Sequence, residues 1–207
     1  MQLLVLAKEP VPGLVKTRLC PPFSHEQAAA LAAACLHDTL VAALGSGAEN
    51  VVLVLDGSPG DWCPPGIRVT AQVQGSLGTR LEAAWSDTIG PALQIGMDTP
   101  QLSSALLDDC LAKVAESDPT VALLGPAIDG GWWALGMKRY VRGAFEGVTM
   151  SLPHTLQEQV HTLERLGLEV SLAPTLNDVD TALDAAEIAR DYPGTTFAKT
   201  LRQMNPS

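Results

Sequence analysis

Leu3-Leu4-Val5-Leu6-Ala7-Lys8-Glu9-Pro10-Val11-Pro12-Gly13-Leu14-Val15-Lys16-Thr17-Arg18-Leu19 is the stretch whose reading decides the fold. Five consecutive apolar residues, Leu3–Ala7, predict a strand buried on both faces, as in a parallel sheet covered by helices. A Pro/Gly loop from Glu9 to Leu14 stops it. Lys8, Lys16 and Arg18 stand close together here, and the next cation is Arg68. The loop lacks the glycine spacing of a Walker A or a dinucleotide loop. It still offers Gly13 for close backbone approach, three cations suited to a di- or triphosphate, and the Thr17 hydroxyl. Solvated loop charges are the plain alternative.

Outward from this stretch, strand-like and helix-like segments alternate. Ser24-His25-Glu26-Gln27 reads as a capping box opening a helix to about Leu44, with an apolar stripe of Leu31, Cys35, Leu36, Leu40 and Leu44. Val51–Leu55 repeats the buried-strand pattern, and Ile67, Val69, Ala71 and Val73 alternate like a half-exposed strand. Ser76–Ile89 looks helical. Ala92–Gly96 is a short strand, and Ser103 caps another helix. Val121–Leu124 and Trp132–Leu135 flank a Gly-rich turn, and Thr155–Leu166, Leu168–Leu172 and Thr181–Arg190 read as helix, strand and helix. The prediction is one α/β domain over residues 1–207. It has three layers, with a mainly parallel mixed sheet and helices on both faces. Ligands bind such sheets beyond the carboxyl ends of the strands.

Composition narrows the function. Hydrophobic residues make up 46% and charged residues 17%, which excludes a disordered chain. The net charge of −10 makes nucleic acid and anionic membranes poor partners. No apolar run is read as long enough to span a bilayer, and the N-terminal run lacks the lead-in of a signal peptide, so a cytoplasmic protein is expected. Cys20, Cys35, Cys63 and Cys110 form no C-x-x-C pair, and the four histidines are scattered, so neither zinc nor disulfides are expected.

Carboxylates mark the strand ends. Asp98, in Gly96-Met97-Asp98-Thr99-Pro100, suits a Mg2+ or Mn2+ ion bridged to phosphates, or else simply caps its turn. Asp180, in Asn177-Asp178-Val179-Asp180, is either a second metal ligand or a helix cap. Asp129 lies in the turn Gly125–Gly131. Gly75 and Arg80 belong to a Gly-flanked helix start suited to an anion or a base edge. Of Trp132 and Trp133, at least one is expected to serve packing.

Five blocks in series, AKEPVPGLVKTRL, QGSLGTRL, GMDTPQL, GPAIDGGWWALG and DVDTALD, run along nearly the whole chain. In this order they resemble the small bacterial glycosyltransferase-A-like family, the radical-SAM/selenodomain-associated or arsenosugar-type glycosyltransferases. More distantly they are similar to phospholactate guanylyltransferase and the molybdenum-cofactor nucleotidyltransferases. The resemblance implies a nucleotide-diphospho-sugar transferase fold using Mg2+ or Mn2+, a nucleotide or nucleotide sugar, and a small-molecule acceptor. It implies nucleotide contacts from Ala7, Lys8, Gly13, Lys16, Thr17, Arg18, Gly75 and Arg80. Asp98 and Asp180 are the implied metal ligands, and Asp98, Asp129 and Arg18 the implied catalytic residues. Two departures stand out: Thr99-Pro100 replaces the second Asp of a D-x-D motif, and Met150 precedes Ser151 where the family usually has Trp. Glycosyl transfer leads, nucleotidyl transfer follows, and a non-catalytic nucleotide-binding module is third.

Overall fold

The computed structural model describes residues 1–204. Its strands are β1 (Gln2–Lys8), β2 (Asn50–Asp56), β3 (Arg68–Ala71), β4 (Ala92–Ile95), β5 (Val121–Pro126), β6 (Trp132–Met137) and β7 (Glu169–Leu172). The helices are α1 (His25–Leu44), α2 (Leu77–Ser86), α3 (Ser104–Glu116), α4 (Thr155–Arg165), α5 (Ala182–Asp191) and α6 (Thr196–Gln203), with a single 3-10 turn at Thr17–Leu19.

The N-terminal apolar run lies inside the sheet, whose order is β3-β2-β1-β4-β6-β5-β7. β1 pairs in parallel with β2 on one side and β4 on the other, so the strand order reverses direction at β1. Only β6 runs antiparallel to its neighbours, β4 and β5. The tight return at Ala127–Gly131 imposes this. Ala127 N–H bonds Gly131 O at 3.0 Å, and Gly130 takes a φ of 88° where a Cβ would strike the Pro153 backbone.

Side chains alternate across the sheet. Leu3, Val5, Leu53, Leu93 and Ile95 pack against α1 and α3 through Leu36, Leu40, Leu107 and Leu111. Leu4, Leu6, Val52 and Val54 pack on the opposite face with Leu81 and Trp85 of α2 and Leu163 of α4. The architecture is therefore the three-layer, mainly parallel sheet expected.

The Ser24 capping box forms as predicted, with Gln27 as its reciprocal partner. α1 departs from expectation in another way: it is long and apolar enough by composition to cross a membrane. The reason is that it is covered front and back. One side meets the sheet, and Leu31, Ala34 and Cys35 meet Ile188 of α5 and Phe197 of α6 in a separate cluster. Leu44, assigned to the apolar stripe, is instead 38% exposed at the helix end. α2 is shorter than its pattern suggested; it stops at Ser86, leaving Ile89 outside and exposed.

Candidate functional site

Because the strand order reverses at β1, the loop leaving β1 and the turn leaving β4 diverge around one crevice. A cavity of 570 Å³ occupies it, within the usual range for small-molecule sites. Ala7, Lys8, Lys16, Thr17, Arg18, Arg80, Asp98, Asp129 and Asp180 all line it. Gly13 and Gly75 do not. Gly13 shapes the loop instead, with a φ of 79°.

Lys16 is the pivot. Its backbone is left-handed, φ 49°, at the start of the 3-10 turn, and its side chain is only 8% exposed. The ammonium lies 2.7 Å from Asp98 Oδ1 and 3.2 Å from Asp180 Oδ1, and it donates to the Val179 carbonyl. Burial works against its charge, but the two carboxylates outweigh burial and hold the ammonium above the ordinary lysine range. Expected at the phosphates, Lys16 thus sits among acids. Arg18, 69% exposed and 3.4 Å from Asp180 Oδ2, faces solvent instead.

The two carboxylates come from segments far apart in sequence. Val179 N–H bonds the Asp98 carbonyl at 2.9 Å, fastening them together. Thr181 and Asp184 form a capping box on α5, so Asp180 stands one residue before the cap and is not the cap itself. Val179 is fully buried, while Asp178 and Asp180 on either side of it both line the cavity. Asp178 Oδ1 is sealed without a hydrogen-bond partner. Burial, then the Asp98 charge, push its carboxyl up to about 7, while Lys16 pulls the other way.

In the same cavity, Asp129 Oδ1 accepts from Gly131 N–H at 2.8 Å. Trp133 is a packing residue, 1% exposed and donating to the Pro174 carbonyl at 3.0 Å. Trp132 lines the cavity and stacks on Phe145, with centroids 6.3 Å apart. Arg80 is tied down by Gln72 at 3.0 Å and Asp56 at 3.5 Å. Gln72, which sequence reasoning missed, also donates to the carbonyls of Ala7 and Val54 at 2.7 and 2.9 Å. Gln94 was missed too, although a glutamine inside the apolar run Ala92–Ile95 was a visible signal.

Among the described residues, no group of three or more His, Cys, Asp or Glu side chains gathers as a metal cage. Asp98 and Asp180 nonetheless fit a Mg2+ or Mn2+ ion. They are hard oxygen donors already sharing one cation, the Lys16 ammonium. Such ions commonly take one or two carboxylates and complete their shell with substrate phosphates and water.

The model of the family of uncharacterized proteins conserved in bacteria (DUF2064) matches residues 27–152. No curated protein matches the chain. Among solved structures, the chain is similar to a provisionally named nucleotide-diphospho-sugar transferase from Desulfovibrio desulfuricans G20. The TM-score is 0.85 and the identity 26%, over 98% of this chain and 94% of that one. It is also similar to Rv0371c from Mycobacterium tuberculosis H37Rv in complex with manganese (TM-score 0.53, 19% identity, 91% and 97% covered). A third is CMP:2-keto-3-deoxy-manno-octonic acid synthetase complexed with CTP (TM-score 0.58, 10% identity, 98% and 99% covered). At the two lower identities the likeness is one of fold. The family match covers more than half of the chain, so the chain belongs to the DUF2064 family.

Proposed function

We propose that this member of the DUF2064 family is a metal-assisted, nucleotide-utilising transferase. It moves a glycosyl group from a nucleotide-diphospho-sugar to a small acceptor. The observation that carries the reading is the meeting of Asp98, Asp180, Lys16 and Arg18 at the reversal point of the sheet, in one cavity with Asp129. The near full-length likeness to the Desulfovibrio structure supports the donor class. The manganese-bound and CTP-bound structures support a metal and a nucleotide as ligands of this fold. The finer likeness to the arsenosugar-type glycosyltransferases rests on the five sequence blocks.

Asp98 and Asp180 would hold Mg2+ or Mn2+, which when bound neutralises charge on the diphosphate. Arg18 and Lys8, both exposed on the cavity wall, supply further positive charge to the phosphates. Lys16, in contact with both, holds the two carboxylates in place. Asp129, fixed through Oδ1, keeps Oδ2 to take the proton of the acceptor hydroxyl. The acceptor oxygen then bonds the anomeric carbon. The bond from that carbon to the β-phosphate oxygen breaks, and its electron pair leaves with the nucleoside diphosphate.

Nucleotidyl transfer is the second reading, favoured by the Lys16-Thr17-Arg18 loop, which suits a triphosphate as well. There the α–β phosphoanhydride breaks and pyrophosphate leaves. Incubation with Mn2+ or Mg2+ and panels of nucleotide sugars and nucleoside triphosphates separates the two. Nucleoside diphosphate release from a nucleotide sugar is expected. Acceptor-dependent pyrophosphate release, with every nucleotide sugar inert, overturns glycosyl transfer. Nucleotide binding without either product leaves a non-catalytic binding module.

A further inference from the structure

The cavity has two kinds of lining. The β1 loop supplies charge, as described above, and Arg80 of α2, held by Gln72 and Asp56, lines it too. The apolar lining consists of Leu6, Leu77, Leu81, Trp132 and Met150. The floor is the strand face that presents Gln94 and then Gly96. Gln94 is 2% exposed, lies beside Leu4 of β1 and Leu135 of β6 in the register, and lines the cavity. Its Oε1 is sealed from solvent and bonds to nothing in the protein. A buried amide without a partner, on an otherwise apolar sheet face, is a group kept for something other than packing. The indole N–H of Trp132 is likewise without a partner.

Gly96 is an independent observation. A Cβ there would meet no heavy atom within 4 Å, and its φ is not positive. Neither strain nor crowding calls for glycine, and a side chain would enter the cavity directly above Gln94. Gln94 and Asp98 are four residues apart, at most about 14 Å along an extended chain. That reach spans a metal-held diphosphate and one attached ring.

We propose that Gln94 and Gly96 form the floor of the subsite for the uncharged glycosyl group of the donor. Gly96 leaves room for the ring and Gln94 reads one of its hydroxyls. A sugar hydroxyl both donates and accepts, and the amide can turn to meet either role. Arg80, the cation that α2 brings to the cavity, is already engaged by Gln72 and Asp56. The inference rests on the proposed nucleotide-sugar reading and adds to it the residues that recognise the sugar.

The test is calorimetric titration, with Mn2+, of UDP-glucose against UDP, GDP-mannose against GDP, ADP-glucose against ADP and dTDP-glucose against dTDP. The proteins are the parent, Gln94→Met and Gly96→Val. The parent is expected to bind one nucleotide sugar roughly tenfold or more tightly than its diphosphate, as one buried hydrogen-bonding group can provide. Gly96→Val removes that preference and Gln94→Met cuts it severely. Both leave diphosphate affinity unchanged, and Gln94→Met melts no lower than the parent. If diphosphate and sugar bind the parent equally, or both variants weaken them alike, this inference fails while the nucleotide reading stands. A lower melting temperature in Gln94→Met with the preference intact makes Gln94 structural and also overturns it. If no member of any pair binds, both readings fall together.

Discussion

Replacing Lys16 with Met keeps the length and apolar stem of the side chain and removes its charge. The ammonium is buried, and it is the cation closest to both carboxylates, 2.7 Å from Asp98 and 3.2 Å from Asp180. Without it, two like charges face each other and the Val179 carbonyl loses a donor. Breaking a fully buried pair from one side costs about 3–5 kcal/mol. Here the carboxylates are 39% and 31% exposed, so water recovers part of that loss. The expected loss is about 2–3 kcal/mol, or a melting temperature lower by about 4–12 °C for a chain of this size. The same vacancy sharpens the demand for a divalent ion. Added Mn2+ should therefore raise the melting temperature of Lys16→Met by several degrees more than that of the parent, through selective binding to the folded state. Thermal melts of both proteins, with and without Mn2+, provide the assay. A variant that melts like the parent, or gains no more than the parent from Mn2+, refutes the account of Lys16 as the cation that holds the acidic pair.

Arg18→Ala, at an exposed position, should leave the melting temperature unchanged and weaken nucleotide binding roughly tenfold or more by calorimetry, since a charge-assisted bond is worth about 1.5–3 kcal/mol. Asp98→Asn should abolish the Mn2+-dependent part of nucleotide binding with a modest change in apo melting; preserved metal dependence would reduce Asp98 to a turn residue. Although partial burial opposes it, hydrogen bonds from Thr181 and Asn177 hold the Asp184 carboxyl below its ordinary value. A depressed carboxyl stabilises the fold above its unfolded pKa, about 3.9, and loses that contribution as pH falls through the folded value. Asp184→Ala should therefore cost about 1 kcal/mol at neutral pH, with the gap to the parent closing below about pH 4 in denaturant titrations. Cys35 and Cys110 are buried, and burial pushes their thiols up, to about 11 for Cys110. An aromatic disulfide reagent should modify only Cys20 and Cys63 until the protein is unfolded; rapid labelling of all four would contradict the packing of α1 and α3.

How legible the molecule was depends on what each feature rests upon. Leu3–Ala7, the Ser24 capping box and the Ser103 cap rest on local patterns, and the structure reproduces all three. The antiparallel setting of β6 was only half visible, because the Gly125–Gly131 turn announces a hairpin without saying which neighbour β6 takes. The end of α2 was misread since Ile89 continues the apolar spacing beyond the point where Asp87 and Gly90 turn the chain. The covering of α1 by α5 and α6 is a contact between distant segments, and nothing local encodes it.

The candidate site shows the same division most clearly at Lys16 and Arg18. In sequence they are equivalent, two cations flanking Thr17 in one loop, and both were assigned to phosphate. In the structure the left-handed turn at Lys16 sends one inward among carboxylates and leaves the other in solvent. Charge type was readable from composition, but partner choice depends on Val179 being buried, which brings Asp180 to the Asp98 turn. A buried ammonium keeps its charge through such partners, and two adjacent carboxylates stay ionised together most readily with a cation between them. Each half of the cluster therefore stabilises the charge of the other. On the reading proposed above, the chain's own lysine would keep the acidic pair assembled before a metal binds, leaving Arg18 to meet the substrate.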